Sequence, residues 1–487
     1  MAVIIGVIAT FWQARVAQAE RAKAEKRFSD VRKLANSYLF DVYPEIENLE
    51  GSLKAREKIL TNALQYLDSL SNEAAGDLAL QSELATAYEK VGDVQGALSN
   101  SSLGNIQAGL DSYAKAARLR EAVYASDKKD LEAKEKLANN YYTTARTLWN
   151  NSQTKEAEEA FLRALSLRRE LVNDVPGSAE HQNRLAVLLI DYGAIPVFNS
   201  QTEKAVVLFD EAFAIIEKLR NGDPENADFK KSQTRLLRIM SKAKGSLGDY
   251  DGAIRGFTLA IDISNELAKQ FPSDFRVQRS VWLTHSLFCE LYIDKQDGSK
   301  AVETCEPTIE FPENALAKEP ENGVVAYDLA ISHFNTSRAH RLAKNYAATI
   351  SQAERAVAVM SRLSEKHPDN TEYKRNLAIY ETERARAQIE LGRFREAVPV
   401  LERILEIMIP IADANDEPTY RYDVAIAHRF AAKAYFKLGN KVKAAGSIEK
   451  AIAIIQQLKS IDSLRDADKD LPAELEAERA EYAGDAR

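Results

Sequence analysis

Apolar residues in this chain recur at offsets of three and four over stretches of about twenty residues, the spacing of one face of an α-helix and not the alternation of a strand. The same pattern returns on a longer scale. A column of small residues, Ala157, Ala205, Ala253, Ala301, Thr349 and Ala397, advances in steps of 48, with Ala444 one residue short. Four residues on stands a mostly bulky column, Phe161, Phe209, Phe257, Cys305, Ala353, Leu401 and Ile448. Three further on come Ala164, Ala212, Ala260, Thr308, Ala356, Ile404 and Ala451. Together these columns mark one buried helix face, repeated. Pro176, Pro224, Pro272, Pro320 and Pro368 keep the same spacing, and Asn226, Asp274, Asn322 and Asn370 follow two residues after their prolines. Gly248, Gly392 and Gly439 stand five residues before the first column, with Ser152 and Ser200 in equivalent places. Glycine there suits a helix end that needs the left-handed backbone conformation. Twelve residues before the first column lie Ala145, Gly193, Ser241, Cys289, Ser337, Ala385 and Ala432, all small, which lets a preceding helix approach closely. Each period therefore predicts a helix A, a short turn and a helix B, as in Ser178–Val197 and Gln201–Asn221.

The strings LGDYDGA (Leu247–Ala253), LGRFREA (Leu391–Ala397) and LATAYEKVGDVQGA (Leu84–Ala97, with Ala85 and Tyr88) resemble the tetratricopeptide repeat, a helix–turn–helix unit of 34 residues. The resemblance implies an all-α fold, a right-handed α-solenoid of helical hairpins, here elongated to 48 residues by roughly two turns per helix. The expected organisation is a partial membrane helix over 1–12, and a juxtamembrane amphipathic helix with a helical hairpin over 13–75. An irregular first repeat with an insertion near Asn100–Gln107 follows over 76–130, then seven regular repeats over 131–461 and a charged capping helix over 462–487. The early hairpin would pair Phe28–Tyr43 with Ser52–Ala74, broken at Pro44 and Gly51. Pro307 and Pro312 fall inside helix B of one repeat and predict a kink or break, because proline lacks the N–H and clashes with the preceding turn. Gly193 and Pro196, late in a helix A, predict a shortened or bent helix.

The N-terminus adds a second kind of signal. Met1–Trp12 carries no charge but is shorter than the ~20 apolar residues a bilayer-spanning helix needs. It has neither the basic start nor the cleavage site of a secretory signal. It is followed by Arg15, Arg21, Lys23, Lys26, Arg27, Arg32 and Lys33. The segment reads as the back half of a membrane helix or as a frayed apolar start.

Composition excludes several classes. The chain has 487 residues with 65 Lys+Arg against 73 Asp+Glu, a net charge of −8, which is poor for general nucleic-acid binding. Two cysteines rule out a disulfide-rich scaffold and a four-thiolate zinc site. Phosphate-binding glycine loops, kinase catalytic motifs, HExxH and EF-hand spacings do not occur, and His181, His285, His333, His340, His367 and His428 are scattered. No catalytic residue, cofactor or metal is expected. Cys289 and Cys305 share one repeat at equal distances from Asp297, so they either meet across the hairpin as a disulfide or serve as two small buried hydrophobes.

In tetratricopeptide arrays helix A usually lines the concave surface. The positions equivalent to its inward-facing ones include Tyr142, Arg146, Trp149, Arg235, Arg238, Lys242, Phe334, Arg338, Arg341, Arg386, Arg429 and Lys433. Nine basic residues and one acidic residue, Glu290, occupy the whole set, in a chain that is net acidic. Arginines interleaved with aromatics suit carboxylate-bearing or phosphorylated peptides, through a planar fork of donors that also stacks. The alternative is a solvated face whose charge is balanced by an acidic helix B. The carboxylate clamp of the family is not found intact.

The segment WQARVAQAERAKAEKRFSDVRKLANSYLF (Trp12–Phe40), with ALQYLDSL (Ala63–Leu70) and ELATAYEKVGDVQG (Glu83–Gly96), resembles the region after the membrane helix in bacterial serine/threonine kinases with C-terminal tetratricopeptide repeats. That resemblance implies a non-catalytic scaffold or sensor module of a membrane-tethered kinase system, binding a protein or peptide, with repeats outside the cytoplasm. The basic flank after Trp12 argues for the opposite topology. The other readings are a fragment of a full kinase, a stand-alone regulatory subunit, or an enzyme with an uncharted site.

Overall fold

The computed structural model describes residues 53–74, 76–96, 105–151, 153–198, 202–368, 370–414, 418–464 and 468–484, with 12, 15, 16, 18, 26, 33 and 37–43 before them. Among these, every regular element is helical. The chain divides into two compact units, 1–167 and 168–487, taken here one at a time.

The first unit contains α1 (Leu53–Glu73), α2 (Leu78–Gly96), α3 (Ile106–Ser126), α4 (Leu131–Asn150) and the start of α5 (Thr154–Asp174). A π-helical turn, Tyr38–Val42, precedes them, and Leu39 and Tyr43 join Leu60, Leu67, Leu84 and Tyr88 in one core. The rest of the expected Phe28–Tyr43 arm, with Pro44 and Gly51, lies outside the described residues, as does most of the Asn100–Gln107 insertion. Helices α2 and α3 approach until a Cβ on Gly109 would stand 2.8 Å from the Gly96 Cα, so both positions need glycine. Arg120 is buried in this hairpin with its charge met by Glu89 and its remaining donors by Ser82 and Thr86.

The second unit carries the regular hairpins. Its A helices are α6 (Ala179–Phe198), α8 (Ala227–Ser246), α10 (Phe275–Asp294), α13 (Gly323–Leu342), α15 (Thr371–Glu390) and α17 (Pro418–Lys437). Its B helices are α7 (Val206–Gly222), α9 (Tyr250–Gln270), the pair α11 (Gly298–Cys305) and α12 (Glu310–Lys318), α14 (Tyr346–Lys366), α16 (Phe394–Asp413) and α18 (Lys441–Ser460). A last helix, α19 (Leu471–Gly484), packs Leu471, Leu475 and Tyr482 against Ile448, Ile452 and Ile455 of α18.

The periodic columns now have physical roles. Asn226, Asp274, Asn322 and Asn370 are N-caps: each side chain accepts from backbone N–H groups in the first turn of an A helix. The B helices are capped the same way by Asp249, Asp297, Asn345 and Asn440. Gly248, Gly392 and Gly439 end A helices at φ of 84°, 74° and 79°, in the left-handed region. Gln296 and Lys344 take the same turn at φ of 61° and 59° despite their side chains. The columns beginning at Ala157 and Phe161 are buried throughout, and the one polar member, Thr349, donates its hydroxyl proton to the Asn345 carbonyl.

The two irregular repeats behave differently. Helix B breaks at Pro307, where a 3-10 segment, Glu306–Ile309, separates α11 from α12. Both flanking residues, Cys305 and Glu310, keep right-handed helical angles, so the hydrogen-bond ladder is interrupted without a reversal of the chain. Of the two outcomes expected for α6, shortening does not occur: it runs its full twenty residues to Phe198 with Pro196 inside. Pro196 stands only two residues from the C-terminus, where few bonds depend on it. Gly193 has a packing reason, since a Cβ there would meet the Phe209 ring at 2.6 Å. The unwinding falls instead on helix B, which opens with the 3-10 turn Thr202–Ala205.

Among the described residues no helix is long and apolar enough to cross a membrane. Of the expected membrane segment, Met1–Trp12, all but Trp12 lies outside them.

Candidate functional site

Helix periodicity places the twelve candidate groove residues on A helices, three in the first unit and nine in the second. In the first unit, Tyr142, Arg146 and Trp149 share α4. The Arg146 guanidinium lies 5.7 Å from the Tyr142 ring centre, and Tyr142 meets Phe161 edge-on at 6.2 Å. An arginine held over an aromatic face is oriented as well as attracted.

In the second unit the expected basic surface is corrected by its neighbours. Arg235 donates to Asp191 at 2.6 Å. Lys242 bonds Glu290 at 3.0 Å, and Arg341 bonds Glu383 at 2.5 Å. Arg429 reaches Glu474 and Glu478 at 2.8 and 2.6 Å, and Lys433 reaches Glu390 at 2.9 Å. Arg338 stands 3.8 Å from Asp294. Each pair joins one hairpin to the next or, at the end, α17 to α19. Most of the positive charge is thus already neutralised by carboxylates on adjacent A helices. The inward positions taken alone gave nine cations because, Glu290 apart, the acids sit at other positions of the A helices or on α19. A complementary signal was present at the repeat period, since Lys242 and Glu290, and Arg375 and Asp423, are each 48 residues apart.

Of the candidate cations in the second unit, Arg238 and Arg386 form no ion pair with a carboxylate among the described residues. Arg238 is only 8 % exposed. Among the described residues its one hydrogen bond is long, 3.4 Å to the Ser280 hydroxyl, and its Nε has no partner. Burial, with repulsion from Arg235 and Arg279, pushes its pKa down to about 9. Arg386 is half-buried, with its guanidinium 5.3 Å from the Phe430 ring centre. Burial first, then Arg341, lower its pKa, against the attraction of Glu383 and Glu390.

Arg386 opens into a cavity of about 510 Å³, a volume that suits a few side chains of a bound segment. Phe334 and Arg338 of α13, Ile379 and Arg386 of α15, and Ile426, Arg429 and Phe430 of α17 form its walls, closed by Leu471 and Glu474 of α19. Phe334 is fixed by stacking on Tyr380 at 4.4 Å, and Arg338 lies over Phe334 at 5.7 Å. The cavity therefore joins an apolar floor to a charged rim of four arginines and four carboxylates, Glu383, Asp423, Asp468 and Glu474. Four of the candidate residues, Phe334, Arg338, Arg386 and Arg429, come together here. Arg235, Arg238, Lys242, Arg341 and Lys433 do not line it. Phe430 is a wall residue that the inward-position count missed, one place after Arg429.

Cys289 of α10 and Cys305 of α11 are joined by a disulfide with Cα atoms 4.9 Å apart, fully buried between Ile293, Ala301 and Ala339. The staple closes the hairpin whose helix B is broken. The histidines are dispersed: His333 Nδ1 is 2.7 Å from Gln352 Oε1, His340 Nε2 is 3.3 Å from Glu306, and buried His428 leaves Nδ1 without a partner. Among the described residues no three metal-binding side chains gather.

Residues 138–171 match the family model of the tetratricopeptide repeat. No curated protein sequence matches the chain. Among solved structures, the apo form of RapI is similar at 13% identity over 88% of this chain and 99% of that one, with a TM-score of 0.46. A tetratricopeptide repeat protein from Parabacteroides merdae is similar at 16% identity over 71% and 99%, with a TM-score of 0.35. The Pyrococcus horikoshii protein PH0952, a signal-transduction ATPase with a tetratricopeptide repeat sensor, is similar at 13% identity over 87% and 70%, with a TM-score of 0.42.

Proposed function

We propose that this chain, built of tetratricopeptide-like helical hairpins, is a non-catalytic interaction module that holds a protein or peptide segment on the A-helix face of its second unit. The observation that carries the reading is the cavity between α13, α15, α17 and α19, walled by Phe334, Ile379, Ile426 and Phe430 and edged by arginines and carboxylates. Aromatic and arginine side chains are the types that anchor partners most often. Peptide display against the full chain tests it. Enriched sequences should lose binding to a Phe334→Ala, Phe430→Ala double variant whose helical content is unchanged. Enriched sequences that bind both proteins equally would place recognition elsewhere.

The setting we propose is a membrane-tethered serine/threonine kinase signalling system, anchored through the N-terminal segment, with an acidic partner. The similarity of Trp12–Phe40, Ala63–Leu70 and Glu83–Gly96 to the juxtamembrane region of such kinases supports it. The genomic sequence upstream of the first codon tests it, an in-frame membrane helix and kinase domain being the supporting result and an unrelated frame the opposing one. The Cys289–Cys305 disulfide supports repeats outside the cytoplasm, where such bonds persist. Denaturing thiol alkylation of protein taken from its native cells checks this, both cysteines being protected if the compartment is oxidising.

A further inference from the structure

The two long edges of the second unit differ in chemistry. Ion pairs join residues 48 or 49 apart on successive A helices, so these helices run in the same direction. The A–B turns therefore line one edge and the B–A turns the other. The B–A turns are acidic, with Asp223, Glu225, Glu319, Glu321 and Asp413 exposed. The last three A–B turns carry the opposite charge. Lys344 follows α13, Arg393 and Arg395 lie where α15 passes into α16, and Lys441 and Lys443 open α18. Contacts of 2.9 Å from Lys433 to Glu390 and from Lys443 to Glu402 hold the last two turns side by side.

The carboxylates near these turns do not cancel that charge. Glu390, Glu402 and Glu481 are taken by Lys433, Lys443 and Lys437. Lys344, Arg393 and Arg395, which form no ion pair among the described residues, then stand against Glu396. The same turns expose aliphatic side chains: Leu391 is 42 % exposed, Leu438 41 % and Val442 85 %. Nothing in the fold requires a leucine beside the left-handed glycines Gly392 and Gly439, because these side chains pack on no core. Aliphatic tips set among cations suit the headgroup level of an anionic bilayer, where phosphates attract the cations and the tips reach the acyl boundary. The pattern recurs on successive turns, which a flat surface meets together and a single recess on a protein meets one at a time. We propose that this A–B edge docks on an anionic membrane surface, with Leu391, Leu438 and Val442 in the headgroup layer and Lys344, Arg393 and Arg395 on lipid phosphates. None of these residues lines the cavity, so the inference stands apart from the peptide-binding reading.

Fluorescence from single labelled positions tests this on the full chain. Cys289 and Cys305 are buried in their disulfide, so an introduced cysteine takes the label alone. An environment-sensitive dye is attached at the basic edge through Val442→Cys and, in a second protein, at the acidic edge through Asp223→Cys. The probes are vesicles of phosphatidylcholine alone and of phosphatidylcholine with phosphatidylglycerol. The expected result is a blue-shifted, brighter signal at position 442 with the anionic vesicles only, lost as salt is raised, and no change at position 223. Arg393→Glu with Arg395→Glu should weaken the vesicle affinity read at position 442 by about tenfold or more. Leu391→Ser with Leu438→Ser should weaken it as well. Both labelled proteins carry the same N-terminal segment, so attachment through that segment does not by itself distinguish the two dyes. An unchanged signal at position 442 on anionic vesicles that carry the chain down in a sedimentation assay overturns the proposal. Equal changes at the two positions, or equal changes with neutral vesicles, also overturn it. A shift at position 442 that needs no vesicles and grows with protein concentration overturns it in favour of a second copy, whose acidic edge then covers these turns.

Discussion

Arg279 and Asp328, 49 residues apart on successive A helices, meet in a two-pronged ion pair, with Arg279 Nε 2.6 Å and Nη2 2.8 Å from the two carboxylate oxygens. Asp328 is only 1 % exposed, so its charge depends on this one partner. Trp282 Nε1 donates to the Ser332 hydroxyl at 3.0 Å on the same pair of helices, one turn further along. The two contacts fix the register between α10 and α13, where the intervening helix B is broken.

Removing one member of that pair leaves a buried charge, and removing both does not. Arg279→Met is expected to lower stability by about 3–5 kcal/mol, while Arg279→Met combined with Asp328→Leu costs much less. Urea unfolding of the two variants measures the difference. Equal losses would mean that the pair is a surface contact in effect.

Arg238 predicts the reverse effect. Its charge is buried among other arginines with no carboxylate of its own. Arg238→Met keeps much of the volume and removes the desolvated cation, so the thermal midpoint should rise, by an amount equivalent to about 1–4 kcal/mol. Arg235→Met, which strands Asp191, should lower it. A fall for both would show that Arg238 holds the helix through packing of its stem.

Hairpins, helix boundaries and the glycine helix ends were legible in the sequence because each is a local demand repeated every period, and the Asn/Asp column that the period displays turns out to be the N-caps. Asn226 must accept from Asp228 and Phe229, and the left-handed turn at Gly248 must follow α8, whatever lies around them. The break at Pro307 was equally legible, since a missing N–H cannot be supplied by context. The groove was not, because its charge depends on which helices become neighbours. Arg341 reads as a free cation until Glu383 arrives 42 residues later at 2.5 Å.

The disulfide is expected to stabilise the broken hairpin. It closes a loop of 16 residues, for which the chain-entropy contribution is about 3 kcal/mol. Cys289→Ala with Cys305→Ala should lower the unfolding midpoint accordingly, whereas reductant added to the native protein should act slowly because both sulfurs are buried. Alkylation followed by mass measurement reads the exchange. Rapid labelling under native conditions would show that the α10–α11 hairpin opens readily.

Acid should weaken the second unit through its buried histidines. His428 is 5 % exposed, and burial, with repulsion from Lys450, lowers its pKa from 6.5 to about 4. In the unfolded chain it protonates near 6.5, so between those values the unfolded state binds more protons and stability rises with pH. The contribution is complete above pH 6.5 and is lost as pH falls towards 4. Its full size is on the order of 3 kcal/mol, from 1.36 kcal/mol per pKa unit. Burial shifts His285, His333 and His367 in the same direction, so the window is shared. His428→Gln should therefore flatten the pH dependence of the thermal midpoint between pH 4.5 and 6.5 without abolishing it. Parallel curves for the two proteins would mean that His428 titrates normally in the folded state, and that its cavity admits water.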